Sequence, residues 1–168
     1  AIAYGVDRQD GNQTHTAMFV NLGSSDFEVT VINFYARSDN KTDKYGNTKI
    51  GDVVENIEVL SQATTDRVSG RLFDIELLNI LAERFNAMKS RVGKPDIRES
   101  PRIVNRLFKE ISKIKDTLSA NKEMLINLPE VADYENLKLT LQRTEFEDSI
   151  DKYMQYLVDT IHSALDQA

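Results

Sequence analysis

The spacing of apolar residues changes near Ser69, and this change constrains the fold more than any other feature of the chain. Before it, apolar and β-branched residues come in short runs: Ala17 to Leu22, Phe27 to Tyr35 and Val53 to Ala63. Branched and aromatic side chains pack well on a pleated surface, so these runs predict three strands. The first run is continuous enough to suit a strand buried on both faces. Gly23-Ser24-Ser25-Asp26 joins the first two runs as a hairpin turn, and the polar stretch Arg37 to Asn47 predicts a solvated tip with Asp39 and Asp43 exposed. After Ser69, the residues Phe73, Leu77, Leu81, Phe85, Met88 and Val92 recur every three or four positions. That is the period of one helix face, so an amphipathic helix is expected from Arg71 to Arg91, stopped by Gly93 and Pro95.

Ser100-Pro101 puts a capping side chain before a proline at the first helical position. Ile103, Leu107, Ile111, Ile114 and Leu118 then mark the apolar face of a second helix. Met124 to Leu128 and Lys138 to Leu141 predict a small hairpin around the polar link Pro129 to Asn136. Thr144 and Glu147 have the spacing of a capping box, opening a last helix that carries Phe146, Ile150, Tyr153, Leu157, Ile161 and Leu165 on one stripe. Strands, two helices, a hairpin and a final helix add up to an α+β fold.

Composition removes several classes of function. The 168 residues, 19.1 kDa, are enough for one domain with a core of its own. Twenty-seven acidic residues against 21 basic ones give a net charge of −6, which disfavours nucleic acid and anionic membrane surfaces as partners. With no cysteine there is no disulfide, no thiol nucleophile and no thiolate metal site. His15 and His162 are too far apart in sequence to predict a metal cluster, so no metal is expected. No apolar run approaches the roughly 20 residues of a membrane span. A start at Ala1 without Met and an end at Ala168 without a stop signal are expected of a piece of a longer protein.

Two local features could meet a ligand. The turn Asn21 to Glu28 sets small residues between two strands, where backbone N–H groups can approach a phosphate; one glycine and two serines are a weak motif, and by pattern alone a plain hairpin turn is the favoured reading. Lys115 and Ser119 lie one helical turn apart, with Ser112 and Asp116 beside them, and could meet a polar ligand or simply face solvent. Glu145, Glu147 and Asp148 crowd a helix start, where the macrodipole favours them without any catalytic role. Asn12-Gln13-Thr14 and Asn40-Lys41-Thr42 fit the glycosylation acceptor pattern.

Taken in order, these segments resemble the second lobe of the nucleotide-binding domain of the seventy-kilodalton heat-shock chaperone family. Ala1 to Val6 resembles the entry into that lobe. Asn21 to Glu28 resembles the second phosphate motif, usually Asp-Leu-Gly-Gly-Gly-Thr-Phe-Asp. Val68 to Asp74 resembles Leu-Gly-Gly-Glu-Asp-Phe-Asp, and Lys115 to Ser119 resembles the adenosine-contacting Lys-Arg-Thr-Leu-Ser. Asp96 to Arg102 and Leu118 to Asn121 are similar to the large hundred-and-ten and glucose-regulated hundred-and-seventy-kilodalton branch; Tyr4 to Val6 and Arg143 to Glu147 lean toward its endoplasmic-reticulum members, including the fungal lumenal one.

The resemblance implies an actin-like ATPase lobe, with residues 1–52 and 144–168 in a partial subdomain IIA and 53–143 in subdomain IIB. It implies ATP or ADP bound in the full-length protein, with Gly23, Ser24, Ser25, Asp26, Gly70, Lys115 and Ser119 as the nucleotide contacts. Several positions depart from the pattern, Ser24 and Ser25 among them, where it has glycines. Asn21 replaces the aspartate that helps organise metal and water, Arg71 a glutamate, Ser112 the ribose glutamate, and Asp116 the arginine that stacks on adenine. Asp26 replaces the threonine of the turn and sets a carboxylate beside the phosphates. Phosphates in the family are clamped between two lobes, so no ATPase and weak or absent nucleotide affinity are expected of these residues alone. The branch implies a nucleotide-exchange factor and holdase for the lumenal seventy-kilodalton chaperone, active on unfolded clients in the endoplasmic reticulum, with the cytoplasm as the alternative. An actin-like small-molecule kinase is the rival reading, and a strand-exchanged dimer is expected if a sheet edge is left open.

Overall fold

The computed structural model describes residues 14–168 apart from 39, 50 and 52, and only the backbone at Lys41 and Lys49. The segment Ala1 to Val6, the first two residues of the Asn12 sequon and Asp39 therefore lie outside the described residues. The chain divides into two compact units. One runs to Val68 and resumes at Gln155–Ala168; the other is Ser69–Met154. This division falls later than the subdomain bounds expected at 52/53 and 143/144, because the third long strand pairs along its whole length with the second and so stays with the first unit.

The first unit is built on an antiparallel sheet of β1 (His15–Leu22), β2 (Phe27–Ser38) and β5 (Val53–Thr65), in the order β1-β2-β5. A two-residue ladder, β3 (Lys41–Thr42) with β4 (Thr48–Lys49), closes the tip. The central strand holds the core: Phe27, Val29, Val31, Ile32 and Phe34 are buried, together with Val68 and Ala164. The expectation for the first run is corrected here. β1 is not buried on both faces; Met18, Val20 and Leu22 on one face are exposed, while Ala17 and Phe19 on the other are half-buried. The tip is more ordered than a solvated loop. Asp43 Oδ1 accepts from the Tyr45 and Asn47 amides at 2.8 and 3.0 Å, and Gly46 takes the positive φ of 85° that the turn needs. The last helix, α4 (Met154–Asp166), belongs to this unit from Gln155 onward, and its Ala164 carbonyl accepts from Ser61 Oγ at 2.5 Å.

In the second unit, α1 (Gly70–Asn86) and α2 (Pro101–Ala120) pack with the hairpin β6 (Glu123–Ala132) and β7 (Glu135–Gln142). Leu77, Leu81, Phe85, Leu107, Ile111, Ile114, Leu118, Ile126, Leu137 and Leu141 form one buried cluster, so both helices and one face of the hairpin close on a single core. α1 begins at Ser69, whose hydroxyl accepts from the Leu72 amide at 3.4 Å. It ends at Asn86, short of the expected Arg91. A 3₁₀ turn, Lys89–Arg91, follows, and Val92 is exposed rather than part of the apolar face. Pro101 opens α2 as expected, but Ser100 makes no side-chain cap.

The capping box at Thr144 does not form either. The helix α3 (Arg143–Ile150) starts two residues earlier, with Gln142 in the cap position, and Glu147 pairs instead with Arg143 Nε at 2.7 Å. The expected continuous last helix is broken by a 3₁₀ turn at Asp151–Tyr153, and Leu165 at its end is exposed. The break has a cause within the second unit. Glu76 on α1 accepts from Tyr153 Oη at 2.7 Å and pairs with Lys152 at 2.8 Å, while the Tyr153 ring lies 6.2 Å from that of Phe73. The turn is thereby tied to α1.

Candidate functional site

The residues expected at a nucleotide fall into two groups, one in each unit. In the first unit, β1 and β2 pair up to Asn21 opposite Glu28 and Leu22 opposite Phe27, leaving Gly23, Ser24, Ser25 and Asp26 as the turn. The Gly23 amide donates to the Asp26 carbonyl at 2.8 Å, and the two serines and Asp26 are exposed. No amide of Ser24, Ser25 or Asp26 bonds to a described backbone group outside the strands. A Cβ at Gly23 would sit 3.2 Å from Asp26 Oδ1 and 3.3 Å from its carbonyl oxygen. A side chain there would press against the Asp26 backbone and carboxylate, so the position is tight.

Small residues favour the approach of an anion, but the Gly23 amide is spent on the Asp26 carbonyl and the Asp26 carboxylate stands close to Gly23, where it repels another negative charge. Asn21, exposed at the end of β1, brings an amide and no charge to a magnesium ion. The turn does not fit a magnesium-bound phosphate chain. Among the described residues no three His, Asp or Glu side chains gather as metal ligands.

The second group lies on α1 and α2. Gly70 is the first residue of α1, directly after the buried cap Ser69. Arg71 follows and places its guanidinium 5.8 Å from the centre of the Phe108 ring on α2, a cation–π contact between the helices. Lys115, two turns further along α2, meets Asp74 Oδ1 at 2.5 Å. The contact is an ion pair out of line for a hydrogen bond, and Asp74 Oδ1 receives none. Both side chains are about two-thirds buried, with 32% and 28% exposed, so the pair is screened less than a surface one. Ser112, Asp116 and Ser119 share the exposed face of α2. Ser119 Oγ donates to the Asp116 carbonyl at 2.7 Å, and its own carbonyl accepts from Arg143 at 3.3 Å.

The structure therefore brings Arg71 and Lys115 onto one seam between α1 and α2, through Phe108 and Asp74, and leaves Ser112 and Asp116 in solvent. Sequence reasoning missed Asp74 as the partner that holds Lys115. Its signal was the spacing from Arg71: residues three apart on α1 face the same neighbour. An adenosine contact by Lys115 requires a hydroxyl to compete with, or bridge to, Asp74.

The family model described as Hsp70 protein matches residues 1–168. Curated relatives include hypoxia up-regulated protein 1 of Mus musculus, 26% identical over 170 residues, and the same protein of Homo sapiens, 25% identical. Both alignments cover all of this chain and 16% of the relative. Heat shock 70 kDa protein 17 of Arabidopsis thaliana is 26% identical over 148 residues, covering 88% of this chain and 16% of its own length. The chain thus spans about a sixth of the relatives it matches. With the whole sequence matched, and sheet, turn and helices present in order, the chain belongs to the Hsp70 family and carries an α+β fragment of that family's actin-like nucleotide-binding fold.

Proposed function

We propose that this chain is second-lobe material from the nucleotide-binding domain of a large, lumenal Hsp70-family chaperone that acts mainly on a partner chaperone. In this reading the unit containing the sheet corresponds to part of subdomain IIA and Ser69–Met154 to subdomain IIB. The full-length protein binds ADP and ATP, turns ATP over weakly or not at all, holds unfolded clients, and speeds nucleotide exchange on the seventy-kilodalton chaperone of the endoplasmic reticulum. The Hsp70 family match supports a chaperone, and the names of its relatives, hypoxia up-regulated protein 1 and heat shock 70 kDa protein 17, support a stress-related member. A strand-exchanged dimer through the exposed strand β1 belongs to the same reading.

One observation carries it: the Asp26 carboxylate folded over Gly23 in the phosphate turn. A phosphoryl-transfer enzyme needs that turn to stabilise added negative charge, whereas here the turn adds its own. The scaffold is retained while its catalytic electrostatics are not, as expected of a member whose shape matters more than its turnover. Exchange then works through linkage. A factor that binds the open, nucleotide-free partner more tightly than the closed one favours release by that difference in affinity.

Stopped-flow release of a fluorescent ADP from the lumenal seventy-kilodalton chaperone, with and without the full-length protein, tests this. Acceleration that saturates with the added protein is expected. An unchanged release rate removes the exchange role, and steady ATP turnover by the full-length protein alone removes the reading of the Asp26 turn.

A further inference from the structure

A groove of about 770 Å³ lies in the second unit, between the first turns of α2 and the tip of the β6–β7 hairpin. Arg102, Arg106 and Lys109 stand along one wall at positions i, i+4 and i+7 of α2, so they share a helix face, and all three are exposed. Among the described residues none of the three pairs with a carboxylate. Arg106 gives its guanidinium to backbone carbonyls, Glu130 at 2.6 Å and Pro129, and keeps its charge uncompensated.

The opposite wall offers little negative charge. Asp133 is already taken by the buried Arg91 and by Lys94 at 3.4 Å, which leaves Glu130 as the one carboxylate there without an ion pair among the described residues. Three cations against one free acid form a local basic surface on a chain with a net charge of −6. Between the walls, Ile103, Val131 and Ala132 supply apolar surface.

The hairpin wall is held in a costly shape. Glu130, Asp133 and Tyr134 all have positive φ, at 46°, 51° and 62°. The last two form the tight turn between Ala132 and Glu135, a position that ordinarily takes Asn-Gly. Tyr134 is 92% exposed there, so an aromatic ring stands in solvent on a backbone that disfavours it. Arg91 fixes the turn through Asp133 and the Pro95 carbonyl, and Arg106 fixes the strand before it. The groove is preformed rather than assembled by its ligand.

We propose that this groove docks an extended acidic segment of a partner protein. Carboxylates of the segment pair with Arg102, Arg106 and Lys109, an apolar side chain lies on Ile103, Val131 and Ala132, and the Tyr134 ring closes over the rim. The apolar floor favours a peptide, which can bring an apolar side chain to it, over nucleic acid, which would call for an unbroken basic surface. The site is independent of the Asp26 turn and of any exchange activity.

The test uses the full-length protein and a fluorescein-labelled twelve-residue peptide of three Glu-Glu-Leu-Glu repeats, read by anisotropy. Saturable binding in 50 mM salt is expected, weakening by about ten-fold at half-molar salt as screening shortens the reach of the charges. The pair Arg102→Glu with Lys109→Glu is expected to weaken it by about ten-fold or more. Because both side chains are exposed and unpaired among the described residues, the double variant should keep its circular dichroism and melting temperature. Tyr134→Gly should also weaken binding while relieving the positive φ, so loss of binding there does not come from unfolding. Absence of binding in low salt, equal binding by the charge-reversed variant, or equal competition by an oligo-dT of the same charge would each overturn the proposal.

Discussion

Gly23 and Asp26 show how one substituted side chain changes what a turn can hold. The Asp26 carboxylate lies close over Gly23, and replacing it with threonine would remove a charge while leaving the turn's backbone pairing in place. Asp26→Thr in the full-length protein is expected to tighten ADP binding by roughly five-fold or more, about 1 kcal/mol of relieved repulsion, measured by isothermal titration. Affinity unchanged by the substitution would mean that phosphate does not approach this turn. At the opposite end of the pH scale from catalysis, Asp96 and Asp43 are structural acids. Hydrogen bonds from the Arg98 side chain and amide hold Asp96 well below the usual carboxylate range, and bonds from Asn47 and Tyr45 lower Asp43. A lowered folded value means a contribution present above the unfolded value of about 3.8 and lost as pH falls toward the folded one. Melting followed from pH 7 to pH 2 should show destabilisation setting in below about 4, and Asp96→Asn should flatten that limb. The resemblance of the turn was legible in its residue order, but the position of the carboxylate over Gly23 was not, because it depends on a bond between the ends of the turn.

Period and propensity placed every long element, because each buries one continuous face: Leu107, Ile111, Ile114 and Leu118 on α2 are all buried. Element ends were less legible. Ser100 and Thr144 are good capping residues by type, yet neither caps, while Ser69 does. Capping depends on where the chain turns, and tertiary packing decides that: β7 runs to Gln142 and carries the backbone directly into α3. The broken last helix has the same origin. Its apolar stripe has no interruption, but Glu76 reaches across from α1 to Lys152 and Tyr153. Burial, with Glu76 beside it, raises the Tyr153 phenol, and Glu76 raises Lys152. Raised values contribute stability that is complete below the unfolded values of 10.0 and 10.5 and is lost as pH climbs through the folded ones. Tyr153→Phe should therefore cost about 1 kcal/mol at neutral pH. It should also reduce the loss of stability above pH 10, as read by denaturant melts across that range.

On the scale of the molecule, each unit has a core of its own: the strand β2 residues in one, and the cluster around Leu81 and Ile111 in the other. Leu81→Ala should cost about 3 kcal/mol, because it leaves a cavity at a fully buried position. Hydrogen exchange should quicken in α1, α2, β6 and β7 and stay slow in β2; a uniform rise across both sets would show that they open as one. The α+β class and the order of elements followed from the sequence, whereas the division at Val68 and Met154 did not, since it rests on the pairing of β5 with β2 and on the anchoring of Tyr153. Topologically, Ser69–Met154 is spliced into a host chain that leaves at Val68 and returns at Gln155. A cassette bounded in this way can be exchanged between relatives in one piece. A chimera carrying another member's cassette would inherit that member's hairpin tip and helix face together, while the host kept its own Gly23–Asp26 turn, so the two segments are free to evolve apart.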